Sequence, residues 1–114
     1  MGSPAVTMRL RWSVPLGESR CITDALHRVM ASARAQFGCM GCSVTTHVGR
    51  QVGVEYIEEW ASEDDLRREL QSDRFTSLAA LMESATEAPY VEFALPTGRR
   101  GLDYVEEVRA ELTS

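Results

Sequence analysis

The sequence predicts a small α+β domain of the ferredoxin-like type, a βαββαβ chain whose antiparallel sheet carries both helices on one face. Three observations predict it. Val6–Val14 alternates apolar and polar residues without interruption, the period of a strand. Residues 19–35 repeat apolar residues at i, i+3, i+4 and i+7, the period of an amphipathic helix. The chain as a whole then runs strand, helix, strand, strand, helix, strand, which is the split βαβ order.

In the first strand Val6, Met8, Leu10, Trp12 and Val14 share one face, while Thr7, Arg9, Arg11 and Ser13 share the other. Pro15-Leu16-Gly17 breaks the run. The first helix turns Ile22, Ala25, Leu26, Val29, Met30 and Ala33 to one side, and Gly38 stands where a helix-ending glycine is expected. Residues 40–48 alternate again, with Cys42, Val44, Thr46 and Val48 opposite Ser43, Thr45 and His47. Gly49-Arg50-Gln51 joins them to a strand over Val52–Trp60, and the pair makes a hairpin. Ser62 followed by Glu63, Asp64 and Asp65 is a helix start, with a capping hydroxyl and carboxylates at the positive end. Leu66 and Leu70 lie one turn apart, and Phe75, Leu78, Ala79 and Met82 resume the spacing after a kink or break at Ser72-Asp73. Pro89 ends that region and Tyr90–Leu95 is a last short strand. Residues 6–95 thus form the domain. Residues 96–114 add a linker around Gly98-Arg99-Arg100-Gly101 and a short tail helix over residues 103–112, whose spacing does not decide whether it packs on its own domain or on a partner.

A chain of 114 residues is one domain and buries only about two-thirds of its unfolded surface. The predicted topology leaves the second sheet face bare. A second copy of the chain is the economical cover, so a homodimer through that face is expected, with Arg9 and Arg11 making the interface partly polar. The net charge of −5 argues against a nucleic-acid partner, which needs a basic patch to neutralise phosphates. No apolar run approaches the roughly 20 residues that span a bilayer, and no secretory leader is read, so no membrane partner is expected. Gly2 does not read as a myristoylation signal, because Val6 stands where that signal takes Ser or Thr. Three cysteines cannot all pair within one chain, and a reduced, cytoplasmic protein is the simplest reading.

Phe37-Gly38-Cys39 precedes a strand, Glu58-Glu59-Trp60-Ala61-Ser62 closes the hairpin, and Ser72-Asp73-Arg74-Phe75 opens the next helical stretch. In this order they resemble the antibiotic biosynthesis monooxygenase family over residues 6–95, with Glu-x-Trp and Ser-x-x-Phe the most specific parts. The resemblance implies a dimeric α/β barrel and, as in the family's quinol-oxidising members, chemistry with neither metal nor other cofactor. A small aromatic ligand would lose a proton, and its electron-rich anion would react with O₂. The departures are informative. The family's turn is usually Pro-Gly-Cys, and Phe37 replaces the proline. A histidine is common where this chain has Glu69, and haem-degrading members carry Trp there and His where this chain has Ala79. These differences argue against haem degradation, and any activity is expected to come from the sheet.

Such chemistry needs a proton acceptor, a donor or cation for the oxyanion, and an apolar wall. Trp60 is either the aromatic wall that its family position implies or a core residue closing the sheet. Tyr56 and Glu58 share its face, so the three together can line one cavity. Glu58 is a proton acceptor if an apolar pocket raises its pKa, and otherwise an exposed or ion-paired carboxylate. Arg9 and Arg11 either bind an oxyanion or pair with Glu55, Glu58 or Glu59. His47 has the pKa of a general base near neutrality, or is a surface histidine at a strand edge. The Cys39-Met40-Gly41-Cys42 run lacks the helix N-terminus of a thioredoxin-like pair and the further ligands of a zinc site. It reads as a turn cysteine and a core cysteine. Two functions follow: a cofactor-independent oxygenase of a small quinol or phenol, or a non-enzymatic dimeric module that holds a ligand or is purely structural.

Overall fold

A computed structural model describes residues 5–113, so Gly2 lies outside the described residues. The elements in chain order are β1 (Val6–Val14), α1 (Ser19–Arg34), β2 (Cys39–Val48), β3 (Val52–Trp60), α2 (Glu63–Leu70), α3 (Asp73–Met82), β4 (Tyr90–Leu95), β5 (Gly98–Arg100) and α4 (Leu102–Ala110). The sheet runs β2-β3-β1-β4-β5 with each neighbouring pair antiparallel, so β1 is central as its apolar alternation demands. The sheet is open, and a barrel is not closed within one chain.

Val6, Met8, Leu10, Trp12 and Val14 are buried beneath the helices. Burying each contributes about 1.5–3 kcal/mol, and a slip of one residue would carry Arg9 and Arg11 into the core instead. Register is therefore fixed by β1. Val52, Val54, Tyr56, Glu58 and Trp60 of β3 face the same way, opposite Val14, Trp12, Leu10, Met8 and Val6. The other face carries Arg9, Arg11, Glu55, Ile57, Glu59, His47 and Glu92, and no element of the described chain covers it.

The second helical region breaks where its polar pair predicts. Ser62 caps α2 by accepting from the Asp65 N–H at 3.2 Å, and Ser72 caps α3 by accepting from the Phe75 N–H at 3.3 Å. The Ser-x-x-Phe motif is thus the start of a helix. Two findings go beyond the sequence reading. Residues 98–100, read as linker, pair with β4 as an edge strand. The tail helix packs on its own domain: the Tyr104 ring lies 5.2 Å from Phe93, Arg109 donates to the Leu70 carbonyl at 2.7 Å, and Val105 and Val108 are buried. It lies on the side the other helices occupy and leaves the second face bare.

The turn into β2 depends on Gly38. Its φ of +88° is left-handed, and a Cβ there would stand 2.4 Å from the Asp65 carboxyl group. Its carbonyl accepts from the Ala61 N–H at 2.8 Å, tying this turn to the end of β3. We expect Gly38→Ala to lower stability by about 2–3 kcal/mol, from backbone strain and displacement of Asp65. Guanidinium unfolding measures this; a loss within error of zero would contradict it.

Candidate active site

Glu58 has no exposed surface, yet it carries a carboxyl group in the middle of the sheet. Its partners come from its own strand face. Tyr56 donates its hydroxyl to Glu58 Oε2 at 2.6 Å, and Trp60 donates Nε1–H to Oε1 at 3.1 Å. The three residues alternate along β3, so period two alone brings them together. The Glu-x-Trp motif is, physically, an indole donor held against a buried carboxyl group.

A second carboxylate meets it from the helices. Glu69 on α2 is buried and held by Arg74 of α3, with Arg74 Nη2 at 2.6 Å and Nε at 3.0 Å from Glu69 Oε1. Ser72 Oγ adds a longer bond to the same oxygen at 3.3 Å. Two buried carboxyl groups thus face one guanidinium, and both cannot ionise cheaply. Glu69 has the cation, so Glu58 holds the proton. Burial, and next the charge of Glu69, push Glu58 up to about 8, against the opposing bonds from Tyr56 and Trp60. Tyr56 is raised above its ordinary value by burial and then by Glu58, so its hydroxyl stays a donor.

Access is limited to one side. A cleft of about 300 Å³ is lined by Phe37, Trp60, Glu69 and Arg74 among others. It reaches Trp60 and Glu69, whereas Tyr56 and Glu58 lie beneath them. Phe37 at its edge is 86% exposed, which makes an apolar rim where the family's turn has proline.

The sequence grouped Glu58, Tyr56 and Trp60 with Arg9, Arg11 and His47. The structure brings the first three together and puts the other three on the opposite face of the sheet. Arg11 pairs with Glu55 at 2.7 Å and lies 5.0 Å over the Tyr90 ring. Arg11 and His47 share a cleft of about 400 Å³ with Glu55 and Tyr90. Arg9 Nε is buried and makes no hydrogen bond. Pairing of either arginine with Glu58, one of the alternatives the sequence left open, does not occur, because β3 alternation turns Glu55 and Glu58 to opposite faces.

The buried polar cluster is not confined to the sheet: Glu69 and Arg74, both on helices, complete it. A signal for Glu69 was present, because it falls between Leu66 and Leu70 at i+3 on their buried stripe. Arg74 gave no such signal. Among the described residues no group of three or more His, Cys, Asp or Glu could hold a metal ion, and no helix is long and apolar enough to cross a membrane.

A five-stranded antiparallel sheet under four helices, with a buried Glu-x-Trp at the end of its hairpin, has the fold of the antibiotic biosynthesis monooxygenases. Solved structures bear this out. A conserved protein of Methanosarcina mazei superposes with a TM-score of 0.70 at 16% identity, covering 80% of this chain and 91% of its own. A provisionally assigned antibiotic biosynthesis monooxygenase of Nitrosomonas europaea gives 0.69 at 10% identity, covering 82% and 90%. SnoaB, a cofactor-independent oxygenase from Streptomyces nogalater, gives 0.64 at 20% identity, covering 80% and 91%. No family model and no curated protein sequence matches the chain significantly.

The Glu58 proton makes stability depend on pH. The folded pKa of about 8 stands above the ordinary 4.5, so folding favours the protonated form. Its contribution is fully present below pH 4.5 and is lost as pH rises through 8. Glu58→Gln, neutral at every pH, should flatten this decline. Guanidinium midpoints measured below 4.5 and above 8 test it, and a variant as pH-sensitive as the wild type would reject the assignment.

Proposed function

We propose that this protein is a cofactor-independent oxygenase of a small aromatic quinol or phenol, with Glu58 as its proton acceptor. The observation that carries the reading is the buried acid pair, in which Glu69 takes the Arg74 charge and leaves Glu58 poised near 8. A base that must deprotonate a phenol works best with a raised pKa. Trp60, at the floor of the cleft, supplies a flat wall for an aromatic ring, and Phe37 supplies its rim.

The proposed reaction requires the cleft to open past Trp60 and Glu69, so that a bound phenol meets the Glu58 carboxylate. Ionised Glu58 takes the phenolic proton, and the phenolate gives an electron to O₂. The radical pair joins as a peroxide at a ring carbon that carries hydrogen. The peroxide regains the proton from Glu58, and its O–O bond breaks as the ring hydrogen leaves as a proton; one oxygen remains as the quinone carbonyl, and the other leaves as hydroxide and combines with that proton as water. Tyr56, kept protonated by its surroundings, donates to whichever Glu58 oxygen it meets and holds the carboxyl group in place.

Oxygen uptake with a panel of phenols and hydroquinones, in the presence of a chelator, tests this. The expected rate exceeds autoxidation and rises with pH through about 8, as Glu58 ionises. Glu58→Gln should lower it by about 10²–10⁴-fold. Uptake no faster than in buffer alone would defeat the reading. Full coverage of Tyr56 and Glu58 favours the second reading, a non-enzymatic module with a closed core. In that case Glu58→Gln changes the pH dependence of stability and there is no turnover to lose.

The bare face of the sheet supports a homodimer in the same proposal. Arg9 Nε lies buried there without an acceptor, a costly state that a second copy can relieve. Arg9→Glu places a carboxylate beside Glu92, its cross-strand neighbour, and should weaken self-association at least ~10-fold by sedimentation while leaving the circular dichroism unchanged. A wild-type chain that sediments as a monomer at every concentration would rule the dimer out.

A further inference from the structure

A regular strand places residues i and i+3 on opposite faces. Cys39 and Cys42 do not follow this rule. A bulge between Cys39 and Gly41 sets one extra residue against β3, so Cys39 pairs with Trp60 and Cys42 with Glu58, both on the helix face. The two sulfurs consequently lie 3.6 Å apart. Cys39 Sγ is otherwise held only by the Gly41 carbonyl at 3.9 Å, a weak contact. Both side chains are half-buried on β2, the edge strand, where a small reagent has access. A disulfide holds its sulfurs at about 2.05 Å, so closure asks for a shift of about 1.5 Å at a strand edge that is already irregular.

We propose that Cys39 and Cys42 form a reversible intrachain disulfide, a redox modification site on the sheet edge that is oxidised by small disulfides of the glutathione type. Cys39 attacks one sulfur of the oxidant, whose S–S bond breaks and releases the first thiol. Cys42 then attacks the Cys39 sulfur of the mixed disulfide, and the second thiol departs. Each protein sulfur loses one electron, the oxidant takes both, and the two protein protons leave on the released thiols. The order follows from the surroundings. Burial, and next the bond from Cys39, push the Cys42 thiol up to about 12, which makes it the resolving group and leaves the first attack to Cys39.

The site also touches the Glu58 cluster. Cys42 lies against both Tyr56 and Glu58, and Cys39 is the cross-strand partner of Trp60. The thiol chemistry itself does not depend on the oxygenase reading, and its test needs no turnover.

Cys21, exposed on the first turn of α1, is removed by Cys21→Ser so that only the pair remains. The reduced protein should take up two maleimide labels by intact mass. After equilibration in oxidised glutathione it should take up none, run as a monomer without reductant and carry no glutathione, and dithiothreitol should restore both labels. Cys42→Ser in the same background should stop at a glutathione adduct on Cys39. Continued labelling of both thiols in the oxidant, a stable glutathione adduct on the unmutated pair, or cross-linked dimers would each overturn the proposal.

Discussion

The constraint on which the rest of this structure turns is the balance of charge among Glu58, Glu69 and Arg74. Two carboxyl groups and one guanidinium lie within the packed layer between sheet and helices, where an unpaired ion is expensive. Neutrality is reached by giving the cation to Glu69 and a proton to Glu58. Arg74 and Ser72 direct donors at Glu69, while the donors from Tyr56 and Trp60 favour ionised Glu58 and are outweighed by burial and by the charge of Glu69. The cost of the arrangement falls on stability at alkaline pH, and what it provides is a carboxyl group that can exchange a proton near neutrality.

Period-two alternation distributes the charged residues over two faces that do not communicate by contact. Along β1 it sends five apolar residues inward and both arginines outward. Along β3 it sends Glu58 inward and Glu55 and Glu59 outward. The outward set satisfies much of itself, through Arg11 with Glu55 and Tyr90, and leaves Arg9 Nε unbonded at the centre of the sheet. The inward set forms the acid cluster. The sheet itself stands between the two sets, so the Glu58 cluster and the open-face arginines cannot form one site.

Most of the fold was legible because its signals are local. Alternation marked β1 and β2, helical spacing marked α1, Ser62 marked the start of α2, and the break at Ser72-Asp73 marked that of α3. Of the residues that the sequence grouped, only Glu58, Tyr56 and Trp60 lie together, again because they alternate on one strand. Arg9, Arg11 and His47 were joined to them by chemical type, although strand parity already separated them. Arg74 could not be found in this way, because its contact with Glu69 crosses a helix break. The same limit hid the meeting of Cys39 and Cys42, since a bulge reverses the parity that spacing assumes. β5 was missed because three residues of glycine and arginine carry no alternation to read.

The identity of residue 69 decides what this cluster can do. A neutral imidazole beside Glu58 would add no charge, and as an imidazolium it would favour the ionised carboxylate. A glutamate does the reverse: its negative charge opposes ionisation of Glu58, and it requires a cation of its own, which α3 supplies in Arg74. The helix break at Ser72 is what allows this, because it turns the start of α3 so that Arg74 reaches back across five residues to Glu69. Glu58 is therefore tuned through the helices even though it stands on the sheet. Its strength depends on how firmly Arg74 stays on Glu69: a loosened guanidinium would raise Glu58 further, and a ligand anion that drew Arg74 away through the cleft would do the same. Charge in the cleft and the protonation of Glu58 are thus coupled at one side chain, Arg74.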